Sequence, residues 1–286
     1  METLEVTTIR KAEALEALNR SEIDIQISTA KKYPRDIAAS INKVIALATV
    51  NETTAEECFY SLKRRGNDGG DTFINGPSIR LAEIIAASWG NLRVQAQVIG
   101  NDGKFITARG VCQDLETNFA ASVEVQRRIC DKYGKTFSED MQVVTGNAAA
   151  AIAFRNAVFK VVPMSTFGQA VEIIKQTAAG KVENLPETVQ KMLRYFVSLG
   201  VTEPMVLSYL EVESRDEISA EMVNELRGVK NAIKEGITTA KESFINPYNE
   251  KIKAKEATSK AGTVKGKVAA AMAKQGEVIE DMPLGI

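Results

Sequence analysis

LRVQAQVIGNDGKFITARGVCQDLETNFAASVEVQRRI, residues 92–129, decides the fold class. Three runs within it, 92–99, 105–114 and 119–129, are rich in β-branched residues and alternate apolar with polar positions, the period of a strand half buried on one face. Asn101-Asp102-Gly103 parts the first two. Asp-Gly between such runs signals a tight hairpin, because both residues tolerate the positive φ that the turn needs. Leu115-Glu116-Thr117-Asn118 parts the second pair. The stretch is predicted to be a three-stranded antiparallel meander.

Outward from the meander the period changes to that of helices. Upstream, Ser78 opens SIRLAEIIAASW, a helix with a wide apolar face that Gly90-Asn91 ends. The Gly-, Asn- and Asp-rich stretch 66–76 reads as a loop, and 53–65 as a helix whose Thr54 and Glu57 have capping-box spacing. Another helix follows Pro34, with Ile37, Ile41, Val44, Ile45 and Ala48 on one side. Downstream, an Ala-rich helix spans 138–161, stopped before Pro163, and a further one spans 167–179. After Gly180 come three helical patterns with short turns, 187–199, 203–211 and 220–235, as in a compact three-helix unit.

The expected fold is α+β: a small antiparallel β-meander packed with helices, a C-terminal helical module and a flexible tail. The divisions fall at 1–24 (a flexible N-terminus), 25–180 (the core), 183–242 (an acidic helical module) and 247–286 (a disordered tail). Charge supports them. Residues 78–162 hold ten Lys and Arg against eight Asp and Glu, whereas 183–242 hold seven against eleven. Residues 247–276 are Lys-rich and short of large apolar side chains, the composition of a segment that cannot bury a core.

Composition excludes much chemistry. The 286 residues contain no histidine, which removes His-based acid–base catalysis, Ser-His and Cys-His pairs, and the usual zinc and haem ligands. Three widely spaced cysteines, Cys58, Cys112 and Cys130, suit free thiols in a reducing compartment rather than a disulfide framework. The first 20 residues lack an apolar block, and no run approaches a membrane span, so no signal peptide or membrane partner is expected and the expected location is the cytoplasm. No cofactor or metal is expected. Gly134-Lys135-Thr136 carries the end of a phosphate-binding loop, but Ile129 stands where the motif needs its first Gly and no strand leads straight into the turn. The acids of the meander, Asp102, Asp114 and Glu116, fall largely at turns, where backbone reasons account for them.

What remains is a scattered basic set: Arg80, Arg93, Arg109, Arg127, Arg128, Lys132, Lys135, Arg155 and Lys160. Arg127-Arg128 close a strand, and Lys132, Tyr133 and Lys135 follow at once, giving four cations and an aromatic within nine residues. On the long helix, Asn156 and Lys160 are i,i+4 neighbours with Arg155 one position round. Arg155 is either tied to an acid of the core or faces a groove that holds an anion. Such a set suits a phosphate backbone bound without sequence readout, and Arg80, Arg93, Arg127, Arg128, Lys132, Lys135, Arg155 and Lys160 are the candidate DNA contacts. Trp89, the only tryptophan, is expected in the core. Lys63-Arg64-Arg65 reads as a helix C-terminus that favours cations.

The run Gly76-Pro77-Ser78-Ile79-Arg80-Leu81-Ala82-Glu83, continuing to Trp89-Gly90-Asn91-Leu92, resembles a segment of phage proteins related to the RecT/Redβ single-strand annealing family. AAIAFRNAVFKVVP, from Ala150 to Pro163, resembles the Arg-containing helix that precedes a proline in that group. EMVNELRGVKNAIKEG, from Glu221 to Gly236, is similar to a helical unit appended to such proteins. The resemblance spans residues 25–240. It implies a small sheet flanked by helices, assembled as a homo-oligomeric ring or filament, with single-stranded DNA in a positive groove and no ATP or covalent chemistry. The family's backbone contacts would fall on Arg80, Arg127, Arg128, Lys132, Arg155 and Lys160. The acidic module would contact a partner exonuclease or the host single-strand-binding protein. The chain departs from the RecT pattern in lacking a Tyr-containing, more aromatic central loop. The expected role is annealing of complementary strands in recombination. The alternatives are a metal-dependent phage nuclease and an oligomeric scaffold that binds no DNA.

Overall fold

The computed structural model describes residues 2–65, 71–131, 133–179 and 185–253. Its elements in chain order are α1 (Glu2–Lys32), α2 (Ile37–Ala48), α3 (Glu52–Glu57), β1 (Phe59–Arg65), β2 (Asp71–Pro77), α4 (Ile79–Trp89), β3 (Leu92–Asn101), β4 (Phe105–Asp114) and β5 (Ala120–Arg128). There follow α5 (Glu139–Val161), a 3-10 turn at Met164–Phe167, α6 (Gly168–Ala179), α7 (Leu185–Ser198), α8 (Glu203–Leu210) and α9 (Ala220–Lys234). A last helix opens with a π turn at Lys241–Ile245. The class is α+β, with a two-stranded and a three-stranded antiparallel sheet.

The meander forms as its period predicts, in the order β3-β4-β5. Asp102 accepts the amide protons of Lys104 and Phe105 and so shapes the first turn. One face packs on α5. The helix lays Ala149, Ala153 and Ala157, each four residues on, against Ile106, Ala108 and Cys112 of β4. The approach is close because β4 has Gly110 at the crossing, where a Cβ would stand 2.2 Å from the carbonyl oxygen of Ala153. Beside this layer, α2, α3, α4, α6 and the end of α5 enclose a second apolar cluster. Trp89, 5 % exposed, meets Phe167 edge-on there, as its core assignment requires.

One charged clamp closes the far end of the meander. Arg35 donates to Asp114 Oδ1 at 2.8 Å and to Glu116 Oε1 at 3.1 Å, and its guanidinium lies 4.7 Å from the Trp89 ring. Asn91 donates to the same Glu116 oxygen.

Several elements differ from expectation. Residues 53–65 are not one helix: Asn51, not Thr54, caps α3, which ends at Glu57. Phe59 onward then pairs as β1 with β2, from Phe59 opposite Pro77 to Arg65 opposite Asp71. A strand, β2, thus runs where the sequence predicts a loop, and Lys63-Arg64-Arg65 lies on a strand rather than at a helix end. Residues 1–24, expected to be flexible, belong from Glu2 to helix α1, whose largely polar sequence has no apolar period to read.

The chain divides into two compact units, Met1–Thr188 with Ser219–Thr239, and Val189–Ile218 with Ala240–Ile286. The helical module expected over 183–242 is therefore split, because α9 packs on β1 of the first unit. In the second unit the Phe244 ring meets those of Phe196 and Tyr209 at a tilt, each with centroids 4.8 Å away. The expected tail, 247–286, is helical as far as Lys253, and its remainder lies outside the described residues. Among the described residues no single helix is long and apolar enough to cross a membrane.

Candidate nucleic-acid interface

Strand period places alternate residues of β3, β4 and β5 on the face opposite α5. Register fixes who stands beside whom. Arg93 is level with Gln113, Gln97 with Arg109, Arg109 with Glu124, Thr107 with Gln126, and Phe105 with Arg128. This outer face carries amide and hydroxyl side chains, Gln95, Gln97, Thr107, Gln113, Ser122 and Gln126, beside apolar Phe105, Val111 and Ala120, with Arg93, Arg109 and Arg128 as cations and Glu124 as its acid. Glu124 is engaged by Arg109, 2.7 Å away.

The three arginines form a diagonal. Measured along β4 they sit at the levels of residues 113, 109 and 105, one on each strand. Each step is four residues along and one strand across, about 14 Å at ~3.4 Å per residue and ~4.8 Å between strands. A polyanion crossing the sheet on this line meets one guanidinium per strand. Arg93 donates to Gln26 of α1 at 3.1 Å, and Arg128 lies over the Phe105 ring at 5.6 Å. Exposed Lys135 and Tyr133 stand at the Arg128 end, because Thr136 of their loop donates to Gly103 O in the β3–β4 turn.

The remaining candidates lie elsewhere. Arg127 is on the inner face of β5 and donates to the Ile237 carbonyl at 3.3 Å. Arg80 is half exposed and shared between Glu83 at 3.0 Å and Glu57 at 3.9 Å. Lys160 is exposed in the last turn of α5. Of the two settings open to Arg155, the structure takes the core acid: the side chain is 11 % exposed, faces Glu235 of the α9 exit at 3.9 Å, and its guanidinium lies 5.1 Å from the Tyr60 ring. Lys132 lies outside the described residues. The eight candidates thus do not share one groove. Arg93, Arg128 and Lys135 belong to the sheet's open side or its edge, and Arg109 joins them. The signal for that face is present in the alternation of 92–128, since every second residue of a strand shares a face.

The Gly134-Lys135-Thr136 turn directs amides inward rather than toward a phosphate. Tyr133 and Lys135 both give their N–H to Asp131 Oδ1, at 2.8 and 2.9 Å. Asp114 and Glu116, the acids a nuclease would need, are held by Arg35. Burial alone would push the Asp114 carboxyl up, but the Arg35 guanidinium and the amides of Thr117 and Glu116 outweigh it and hold the group below its ordinary value. Among the described residues no three acids or thiols are grouped to hold a metal ion. No family model, curated protein or solved structure matches the chain.

Proposed function

We propose that the chain is an ATP-independent single-stranded DNA-binding and annealing protein of the RecT/Redβ type, acting as a homo-oligomer in the bacterial cytoplasm. The observation that carries this reading is the arginine diagonal on an open sheet face that holds six amide and hydroxyl side chains and one acid, Glu124. Guanidinium groups take phosphates, and the amides and hydroxyls between them can hold a strand without selecting its sequence. A strand lying along one side keeps its bases free on the other, so a complement can sample register and zip. The helical unit around Phe196 and Phe244 is the proposed contact for an exonuclease or a host single-strand-binding protein.

The test is binding of a labelled oligonucleotide, then annealing of its complement, in EDTA without ATP across a salt series. Tight, salt-sensitive binding with accelerated annealing is expected. Replacing Arg93 or Arg128 by Ala should flatten the plot of log affinity against log salt by about 0.7 for each phosphate no longer neutralised. Glu124→Gln should strengthen binding by freeing Arg109. No binding at low salt would sink the reading and favour a scaffold.

A further inference from the structure

The two edges of the meander differ. At the β5 edge Arg127 reaches the Ile237 carbonyl, so the exit of α9 stands beside that strand. On the far side of β3 no described strand pairs, and residues 97–101 are exposed. β3, LRVQAQVIGN, carries one charge in ten residues, Arg93. Natural sheets guard such an edge with charges, proline or a bulge. The register shift of β3 comes late, between Val98 and Gly100, and leaves 92–98 regular. Val98 and Ile99 are exposed there.

Register also shows which backbone groups are unused. The Leu115 N–H donates to the Asn91 carbonyl, so 91 and 115 form a hydrogen-bonded pair. Antiparallel pairs alternate, which makes 93, 95 and 97 the residues that bond β4. Leu92, Val94 and Ala96 therefore turn N–H and C=O away from their own sheet. Strand to strand, this edge is complementary to itself.

We propose that β3 is a contact between two copies of this chain, paired antiparallel about a two-fold axis at Gln95, so that two meanders join as one six-stranded sheet. Val94 and Ala96 then exchange N–H···O bonds with Ala96 and Val94 of the other copy, using donors and acceptors that point outward already. On the α5 side Val94 faces Ala96 and Leu92 faces Val98, apolar against apolar. On the outer side Gln95 faces its own copy and Arg93 faces Gln97, and no two charges oppose. A two-fold contact uses the same patch twice, as a self-complementary strand allows. The surface deepens the homo-oligomer reading above and brings both arginine diagonals onto one continuous face, but the contact itself needs no DNA.

The experiment is sedimentation velocity of the full-length protein without DNA over a concentration series, on wild type, Ala96→Pro and Gln95→Cys. Wild type should associate in pairs of chains. Ala96→Pro removes one outward donor from each copy at an edge position where the protein's own sheet needs none, and should weaken association about tenfold or more. Gln95→Cys should give a covalent dimer on mild oxidation, split again by reductant, because the non-hydrogen-bonded pair at the axis brings its Cα atoms to about 4.5 Å. The native Cys58, Cys112 and Cys130 are buried, and wild type is the control for them. Where Ala96→Pro does not fold, the Gln95→Cys cross-link decides. A wild type that stays monomeric throughout, or a Gln95→Cys protein that associates without cross-linking, overturns the contact. Oligonucleotide binding is measured separately, so the DNA reading stands or falls on its own result.

Discussion

At the scale of the residue, removing the Arg35 guanidinium would leave two carboxylates, Asp114 and Glu116, without the cation that both of them face. Asp114 and Arg35 are 7 and 9 % exposed, so water cannot replace the missing partner cheaply. Deleting one member of a buried ion pair costs roughly 3–5 kcal/mol, because the survivor keeps its desolvation penalty. Arg35→Ala should therefore lower the unfolding free energy measured in urea by that order and detach the Trp89 ring from its cation. The same clamp sets an acid limb. A carboxyl whose folded pKa is depressed adds stability that is present above its unfolded value, about 3.9, and lost as pH falls through the folded value. Melting temperature should then drop steeply below about pH 4 in wild type and less steeply in Asp114→Asn, which scanning calorimetry against pH can check.

At the scale of the element, α9 is held to β1 by interactions that no local pattern announces. Gly228 lies against Ser61, where an added Cβ would come within 2.5 Å of the Ser61 Cβ and 2.9 Å of its backbone nitrogen. Asn231 donates to the carbonyls of Glu56 and Phe59, and Arg227 reaches Glu56 at 3.0 Å. Gly228→Ala must push helix and strand apart, at a cost of about 1–3 kcal/mol from overpacking, whereas helix propensity alone favours Ala by about 1 kcal/mol. A fall in thermal stability would identify the docking as decisive, and a rise would show a free helix. The contrast explains what could be read from the sequence. The meander was legible because hairpin chemistry and alternation are local, α4 because its apolar face repeats, and α5 because an Ala-rich run stops before Pro163. The β1–β2 hairpin was hidden by the helix-like spacing of Thr54 and Glu57 and by the glycines before Thr72-Phe73-Ile74. The pairing that makes Phe59 onward a strand comes from a partner strand further along the chain, β2. Of the candidate interface, the cations and the alternation that sorts them by face were legible, but which face α5 covers was not. Arg127 and Arg128 are adjacent in sequence and therefore point to opposite sides of the sheet.

At the scale of the molecule, the buried carboxylates act on stability in opposite directions. Burial pushes the Glu235 carboxyl up, against the lowering pull of the Ile79 amide, Arg155 and the Ser78 hydroxyl. Burial likewise pushes Glu56 up despite Arg227 and Lys230. A carboxyl with a raised folded pKa stabilises most where it is protonated in the folded chain. Its contribution is full below the unfolded value, about 4.3, and is lost as pH rises through the folded value. Asp114 works the other way, on the acid side. Between them lies a window, above the Asp114 limb and below the folded values of Glu56 and Glu235, in which the whole chain should be most stable. The maximum is thus expected at mildly acidic rather than neutral pH. Melting temperature measured from about pH 4.5 to 8 should fall toward the alkaline end. Glu235→Gln should reduce that fall, since a neutral amide at the α4 N-terminus has no charge to desolvate. A flat wild-type profile over this range would mean that Arg155 and the Ile79 amide fully compensate the buried charge, and that Glu235 sits at the helix end as a settled ion pair rather than a strained one.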